Sequence, residues 1–439
     1  MPLNNGIYVL LAIFFLTYIL IIRKNFDKTL AAAIGGVLTV LVGIFVRDPR
    51  FSMHDVLLYH DFEILAIVVG ILIIVEISTK AGLFHYLSIK VLKLSKGDPG
   101  RLLVYFGILT VILSGVLNNI ACMLIVGSLT FLACERLDLD PKPFIISEMF
   151  LTAVGGNLTL VSSVPNVIIG SAFEISFAEF LLVSLPISIL LTMTSFAIYR
   201  LMFKFPPATD EEKEERIEKV NEFDEWGAVD DKALFYKSAA VLIGTMTLFV
   251  FADALEMSLA FVAILGAVSI VLVSGEKMEE ALRIDWALIA FFAGLFVLIA
   301  GLDKAGALDE FANLLADSLL DDQLPSTLII LWVMAIFSGI VDNIVLTAAL
   351  SPVLLQVSES KDWNPKAVAW ALVFGANLGG GFTPIGAPAN VIAISNLEKR
   401  SKEKVGWGDF IKLSVLVIGV QLIITTIYVA ILSALIFPP

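Results

Sequence analysis

Apolar runs long enough to cross a hydrocarbon core of roughly 30 Å recur along this 439-residue chain. They fall near 6–22, 28–46, 60–78, 177–203, 234–252, 256–274, 284–301 and 408–436, and each reads as a membrane-spanning helix. Two further regions, 101–135 and 325–357, are interrupted by small and polar residues, Ser114-Gly115-Val116-Leu117-Asn118-Asn119 and Ser338-Gly339-Ile340-Val341-Asp342-Asn343. Each side of such a break has roughly 15 residues, short for a crossing, so both regions are predicted to be re-entrant helical hairpins. The regions 143–175 and 364–395 break differently. The first runs through Gly155-Gly156-Asn157-Leu158-Thr159 to Ser162-Ser163-Val164-Pro165-Asn166, the second from Gly379-Gly380-Gly381-Phe382-Thr383-Pro384 to Gly386-Ala387-Pro388-Ala389-Asn390. Glycines permit unusual dihedrals and close approach, and prolines end a helix, so these are predicted to be discontinuous spans.

The breaks are paired. A gapless shift of 224 residues lays Asp61 on Asp285, Gly70 on Gly294, and Lys80-Ala81-Gly82 on Lys304-Ala305-Gly306. It also lays Ser114-Gly115 on Ser338-Gly339, Asn119 on Asn343, Gly155-Gly156 on Gly379-Gly380, Thr159 on Thr383 and Asn166 on Asn390. One offset held over so many positions means a duplication, with residues 1–203 and 234–439 as the repeats and 204–233 as the linker. Five crossings and one hairpin per half invert the second half relative to the first. The predicted fold is therefore an all-α polytopic membrane protein of two inverted-topology repeats. It has about 10 transmembrane spans, two re-entrant hairpins and discontinuous helices at the site where the halves meet.

Composition agrees with a bilayer as the surrounding solvent: 58% hydrophobic residues, 16% charged and a mean hydropathy of +0.93, where a soluble domain carries roughly 25% charged residues. The net charge of −13 argues against nucleic acid as a partner. Much of it lies in the linker, through Asp210-Glu211-Glu212-Lys213-Glu214-Glu215-Arg216, read as a solvated tether with a short helix. Twenty-three basic residues fall on the linker's side of the bilayer against five on the other, among them Arg47 and Arg50. That asymmetry places the linker in the cytoplasm and both termini outside, in a prokaryotic inner or plasma membrane. The start, Met1-Pro2-Leu3-Asn4-Asn5, has no basic n-region, so the first run is expected to be a retained span. Cys122 and Cys134 read as inert packing residues, and His54, His60 and His85 lack ligand-like spacing, so neither a metal site nor a cofactor is expected. No nucleophile–base–orienter set is present, and an enzyme is not expected.

What chemistry remains belongs to the breaks. Carbonyls freed by unwinding can coordinate a cation, and the N–H groups of a half-helix attract an anion. The predicted solute site comprises Asn118, Asn119, Gly155, Gly156, Asn157, Thr159, Ser162, Ser163 and Asn166 from the first half. Asn343, Gly379, Gly380, Thr383, Gly386 and Asn390 complete it from the second. Asp342 and Glu148 are the candidate ion-coupling carboxylates, since charge at membrane depth is costly and functional by default. The motifs hold no Arg or Lys, which favours a cation or a neutral hydroxyl-bearing solute over a free anion. Asp342 faces Asn118 in the repeat alignment, and this odd carboxylate is the natural place for a coupling H⁺ or Na⁺.

The segments Leu117-Asn118-Asn119, Gly155-Gly156-Asn157-Leu158-Thr159, Pro165-Asn166-Val167-Ile168, Val341-Asp342-Asn343 and Gly379 to Val391 resemble the ion transporter superfamily. Within it they are most similar to the ArsB/P-protein permeases, relatives of the NhaD-type antiporters. The resemblance covers nearly the whole chain outside the linker. It implies a scaffold plus a transport domain of hairpins and broken helices, a homodimer, and proton or sodium coupling. In the ArsB branch it further implies efflux of arsenite or antimonite, and a cytoplasmic ATPase as partner. Na⁺/H⁺ antiport of the NhaD type and an anion channel are the alternatives it carries. Dicarboxylate members show Ser-Asn-Thr at each hairpin tip, whereas the tips here read Asn118-Asn119-Ile120 and Asp342-Asn343-Ile344, which argues against a dicarboxylate.

Overall fold

Short polar signals start the helices, and the apolar runs fill them. Asp98 accepts from the Arg101 N–H ahead of Pro99, and Ser176, Ser258 and Asp285 cap their helices in the same way. The computed structural model describes residues 5–23, 26–46, 62–205, 207–401 and 406–439. Residues 1–4, Asp61, His54, His60 and the basic residues Lys24, Arg47, Arg50, Lys402 and Lys404 lie outside them. Among the described residues the chain is helical, with no strand.

In the first half the helices are α1 (Asn5–Ile22), α2 (Lys28–Val46), α3 (Phe62–Lys80), α4 (Leu83–Ser95), α5 (Pro99–Ser114), α6 (Asn119–Leu137), α7 (Lys142–Gly155), α8 (Val164–Ala172) and α9 (Phe177–Met202). The linker carries α10 (Asp210–Asn221). The second half has α11 (Lys232–Phe251), α12 (Leu259–Ser274), α13 (Met278–Ala281), α14 (Trp286–Lys304), α15 (Ala307–Ser318), α16 (Gln323–Ser338), α17 (Asn343–Ser360), α18 (Pro365–Gly379), α19 (Pro388–Ser401) and α20 (Trp407–Ile431). The bounds of α3 and α5 recur at α14 and α16 when shifted by 224 residues. Among the described residues, six helices are long and apolar enough to cross a bilayer: α3, α6, α9, α11, α14 and Phe410–Ile436. α1, α2, α5 and α12 are shorter apolar helices.

Three features differ from the sequence expectation. First, α6 does not stop at Glu135 but adds Arg136-Leu137, giving 19 residues, long enough to cross. Second, α4 and α15 are amphipathic helices of 13 and 12 residues that the apolar-run reading passes over, because each presents only one apolar stripe. α15 meets α16 at 115° and so does not prolong it. Third, the linker is docked rather than free. Val220 is buried at the end of α10, the Trp226 ring lies 4.6 Å from that of Tyr86, and Glu225 pairs with Lys93 on α4. Val220, Phe223 and Trp226 recur every three residues within a very acidic segment, which is enough apolar surface to hold it down.

The halves interlock. α14 packs along α2, and α12 along α3. A Cβ on Gly294 would stand 2.6 Å from the Ala32 carbonyl, and one on Gly70 2.7 Å from that of Ala263, so these helices touch backbone to backbone. Small residues supply this closeness where lipid offers no hydrophobic drive to pair helices. Around the breaks, α17 packs on α8 and α19 on α6, each hairpin helix meeting the broken helix of the other half.

Candidate functional site

Each hairpin reverses through four non-helical residues. Ser114 ends α5 and donates both to the Asn119 side-chain oxygen, at 2.6 Å, and to the Thr152 carbonyl, at 2.9 Å. Cys122 donates to the Thr110 carbonyl at 3.5 Å, so α6 runs back alongside α5. Ser338 makes the matching bond to the Ala376 carbonyl, at 2.6 Å. The tips are N-caps: Asn118 accepts from the Ala121 N–H at 2.8 Å and Asp342 from the Ile344 N–H at 3.1 Å.

The two helix breaks are closed by one set of bonds used twice. Asn166 donates to the carbonyls of Gly156 (2.7 Å) and Thr159 (2.9 Å), and Asn390 to those of Gly380 (2.9 Å) and Thr383 (3.0 Å). Thr159 donates to the Gly115 carbonyl at 2.6 Å and Thr383 to the Gly339 carbonyl at 2.5 Å, tying each break to its own hairpin tip. In the first half Ser162 adds bonds to the Gly156 and Thr159 carbonyls. Gly386 occupies its place in the second, where a Cβ would stand 2.6 Å from the Gly380 oxygen.

These bonds correct two expectations. The carbonyls of Gly156, Thr159, Gly380 and Thr383 are already held by side chains of the motifs, so unwinding does not leave them bare. Nor do the motif glycines serve unusual dihedrals. None of Gly155, Gly156, Gly379, Gly380 and Gly386 has a positive φ, and Gly156 and Gly380 sit at −60° and −55°. Close approach explains the preceding residues instead. A Cβ on Gly155 would lie 2.6 Å from the Val111 carbonyl, and one on Gly379 would overlap the Ala335 carbonyl. At Gly156 and Gly380 the nearest atoms are 3.3 and 3.4 Å away.

Asn377, absent from the sequence-based set, joins the halves. It is buried on α18 and donates to the Asn166 side-chain oxygen at 2.7 Å. Its own oxygen and that of the buried Asn157 have no hydrogen-bond partner among the described residues. Half-buried Ser163 and Asn343 make no side-chain hydrogen bond there either. Two buried amide oxygens and these two half-buried side chains thus stand without a protein partner among the described residues.

The absence of a base from the motifs does not carry over to the folded site. Lys28, the first residue of α2, places its ammonium 2.5 Å from the Asp342 carboxylate. The Asp342 side chain is 9% exposed and that of Lys28 47%. The pair spans 314 residues and links a helix of the first half to the second hairpin tip. No local pattern could have revealed it, and Asn377 gave no signal because its repeat mate is Ala153. Glu148 lies elsewhere. It is buried between α6 and α7, where one oxygen accepts from Thr130 at 2.5 Å and the other is unpartnered among the described residues. Seven residues of helix, about 10 Å, separate it from Gly155.

Paired hairpin tips, paired helix breaks, and a charge pair bridging the halves inside a bundle of long apolar helices define a polytopic membrane transporter. The chain belongs to the citrate-transporter family (CitMHS), whose model matches residues 18–375 and 350–439. An uncharacterised transporter of Mycobacterium bovis is 29% identical over 423 residues, covering 96% of this chain and 97% of the relative. The P protein of Mus musculus is 30% identical over 459 residues, covering 87% of this chain and 55% of that protein. The fold is similar to the Alcanivorax borkumensis YdaH transporter (TM-score 0.63, 14% identity, 98% of both chains). Neisseria gonorrhoeae MtrF is also similar (TM-score 0.57, 11% identity, 99% of this chain and 96% of that one).

Proposed function

We propose that this chain is a secondary active, cation-coupled transporter whose solute lies between the four helix breaks of two inverted repeats, and whose coupling ion, H⁺ or Na⁺, binds Asp342. The observation that carries the reading is the Lys28–Asp342 pair. A carboxylate can hold an ammonium or a coupling cation, but not both at full strength. Cation binding would release the second hairpin tip from α2, and release of the cation would let Lys28 return. A ligand that favours one of two arrangements shifts the population between them, which is all that coupling requires. Asn118, Asn119, Asn157, Ser163, Asn343 and Asn377 are assigned to solute contact. The glycines, Thr159, Ser162, Asn166, Thr383 and Asn390 are assigned to shaping the site, and Glu148 to a secondary place in coupling. About ten spans, N- and C-termini outside, a cytoplasmic linker and a homodimer complete the proposal.

For the solute, amide and hydroxyl groups with the Lys28 ammonium engaged by Asp342 favour a small neutral hydroxyl-bearing species. Arsenite or antimonite trihydroxide leaving the cell, with a cytoplasmic ATPase as partner, is the first to test. A second reading rests on the same pair: Lys28 freed by the coupling cation could receive a carboxylate, and citrate is in the family's description. Full-length protein in proteoliposomes, under imposed pH or sodium gradients, is assayed for arsenite, citrate and Na⁺/H⁺ exchange. Gradient-driven accumulation of one solute, lost in Asp342→Asn, is expected. Solute-free Na⁺/H⁺ exchange would replace the reading with an antiporter, and single-channel currents would replace the carrier with a channel.

A further inference from the structure

The larger of two prominent cavities does not lie at the helix breaks. It occupies about 1070 Å³ between the start of α5, the end of α9 and the linker. Its charged lining is one-sided: Arg101, Arg200, Lys204, Lys213 and Arg216 against Asp98. Asp98 is engaged in capping the Arg101 N–H, and Lys213 pairs with Asp210 at 2.7 Å. Arg101, Arg200 and Lys204 have no ion-pair partner among the described residues. The linker is the most acidic part of the chain, yet it turns Lys213 and Arg216, three residues apart on α10, toward the cavity. None of Glu211, Glu212, Glu214, Glu215 and Glu218 lines it.

Each helix wall continues this charge into an apolar stripe. On α5, Arg101 is followed at helical spacing by Tyr105, Ile108 and Ile112, all three exposed. On α9, Arg200 is preceded by Phe196, Met193 and Ile189 on one face, with Met193 and Ile189 exposed. Basic groups at the ends of two exposed apolar stripes match one ligand shape: an anionic head with a hydrocarbon tail. A basic pocket between membrane helices is a recognised way to hold an acidic lipid headgroup.

We propose that this cavity binds an anionic phospholipid, its headgroup phosphate on Arg101, Arg200, Lys204 and Arg216 and an acyl chain along Tyr105, Phe196 and Ala197. The linker then closes over a lipid headgroup, and its acidic outer face stays in water. This site is independent of which solute is carried.

Delipidated full-length protein in neutral detergent is titrated with phosphatidylglycerol or phosphatidylcholine, and bound lipid is counted by native mass spectrometry. Inorganic phosphate serves as competitor. Three variants are compared: Arg101→Gln/Arg200→Gln/Lys204→Gln; Ala197→Trp, which fills the tail groove and keeps the charges; and Lys237→Gln, a control at an exposed lysine away from the cavity. Each basic contact contributes about fivefold in affinity for an acidic lipid surface, so the triple variant should lose on the order of 100-fold. Ala197→Trp should weaken lipid binding without creating preference for phosphatidylcholine, and Lys237→Gln should match the parent. Thermal unfolding confirms that each variant is folded; if the triple variant is not, Ala197→Trp alone decides. Equal binding of both lipids, phosphatidylglycerol binding unchanged in the triple variant or in Ala197→Trp, or displacement by inorganic phosphate at lipid-like concentration would overturn the proposal.

Discussion

Replacing Lys28 by Met removes the ammonium from Asp342 while keeping much of the side chain's apolar length. At an effective dielectric of about 20, unit charges roughly 4 Å apart attract by about 4 kcal/mol, and a fully exposed pair contributes about 0–1 kcal/mol. Here the N–O distance is 2.5 Å, with the carboxylate nearly buried and the ammonium about half exposed. The pair therefore lies between those limits, at about 1–2 kcal/mol, or roughly 5- to 30-fold in an equilibrium constant. If Lys28 competes with the coupling cation, Lys28→Met should lower the half-saturating concentration of that cation, Na⁺ or H⁺, by about tenfold, and Lys28→Arg should stay near the parent. The second hairpin tip should also leave α2 more readily, so a cysteine at Asn343 should label faster in Lys28→Met. Adding Lys28→Met to Asp342→Asn should change nothing further, because the partner is already neutral. Unchanged dependence on both sodium and pH together with unchanged labelling would refute competition. Equal effects in the two Asp342 backgrounds would show that Lys28 acts elsewhere.

Three other outcomes follow from the geometry. Gly379→Ala should destabilise the protein by about 1–3 kcal/mol, because its Cβ would overlap the Ala335 carbonyl, whereas Gly156→Ala, whose Cβ would make only tight contacts at 3.3 Å, should cost less; reaction of a thiol dye with the buried Cys122 and Cys134 on heating reports both. Asn390→Ala should cost about 2 kcal/mol in the same assay, since the Gly380 and Thr383 carbonyls each lose a donor and no serine stands at Gly386 to replace it. A cysteine at Thr209 should react with impermeant reagents only from the cytoplasm, and labelling from outside sealed cells would reverse the assigned sidedness.

Much of the helical layout was legible because lipid imposes a crude rule: a crossing must be long and apolar. The breaks were legible because glycine, proline and small polar residues are conspicuous within such runs. The 224-residue offset singled out Asn166 with Asn390 and Thr159 with Thr383, and the structure gives each pair equivalent backbone carbonyls to hold. Three things were not legible. Amphipathic α4 and α15 carry too few consecutive apolar residues to register as runs. The docking of the linker depends on Trp226 meeting Tyr86, a contact across 140 residues. Lys28 looked like an ordinary basic residue at a helix start until the fold placed it against Asp342.

The matched and unmatched positions divide the work between them. Three pairs identical in both halves, Ser114 with Ser338, Thr159 with Thr383 and Asn166 with Asn390, each donate to equivalent backbone carbonyls. They rebuild one loop geometry twice. The carboxylates and the buried unpartnered amide oxygens of Asn157 and Asn377 fall where the halves differ: Asp342 opposite Asn118, Asn377 opposite Ala153, Asn157 opposite Gly381 and Glu148 opposite Leu372. A duplicated scaffold gives two equivalent ways of approaching a central site, but a single solute and a single coupling ion cannot satisfy two identical half-sites at once. Divergence is therefore expected among the residues that touch them, beside the one matched pair, Asn119 and Asn343, assigned to solute contact in both halves. Exchanging the unmatched tips, Asn118→Asp with Asp342→Asn, tests this division. The backbone clamps should hold and the protein should fold. The carboxylate would then sit at the first tip, away from Lys28, so gradient-driven transport should be lost, and full transport by the exchanged protein would show that the position of the charge does not matter.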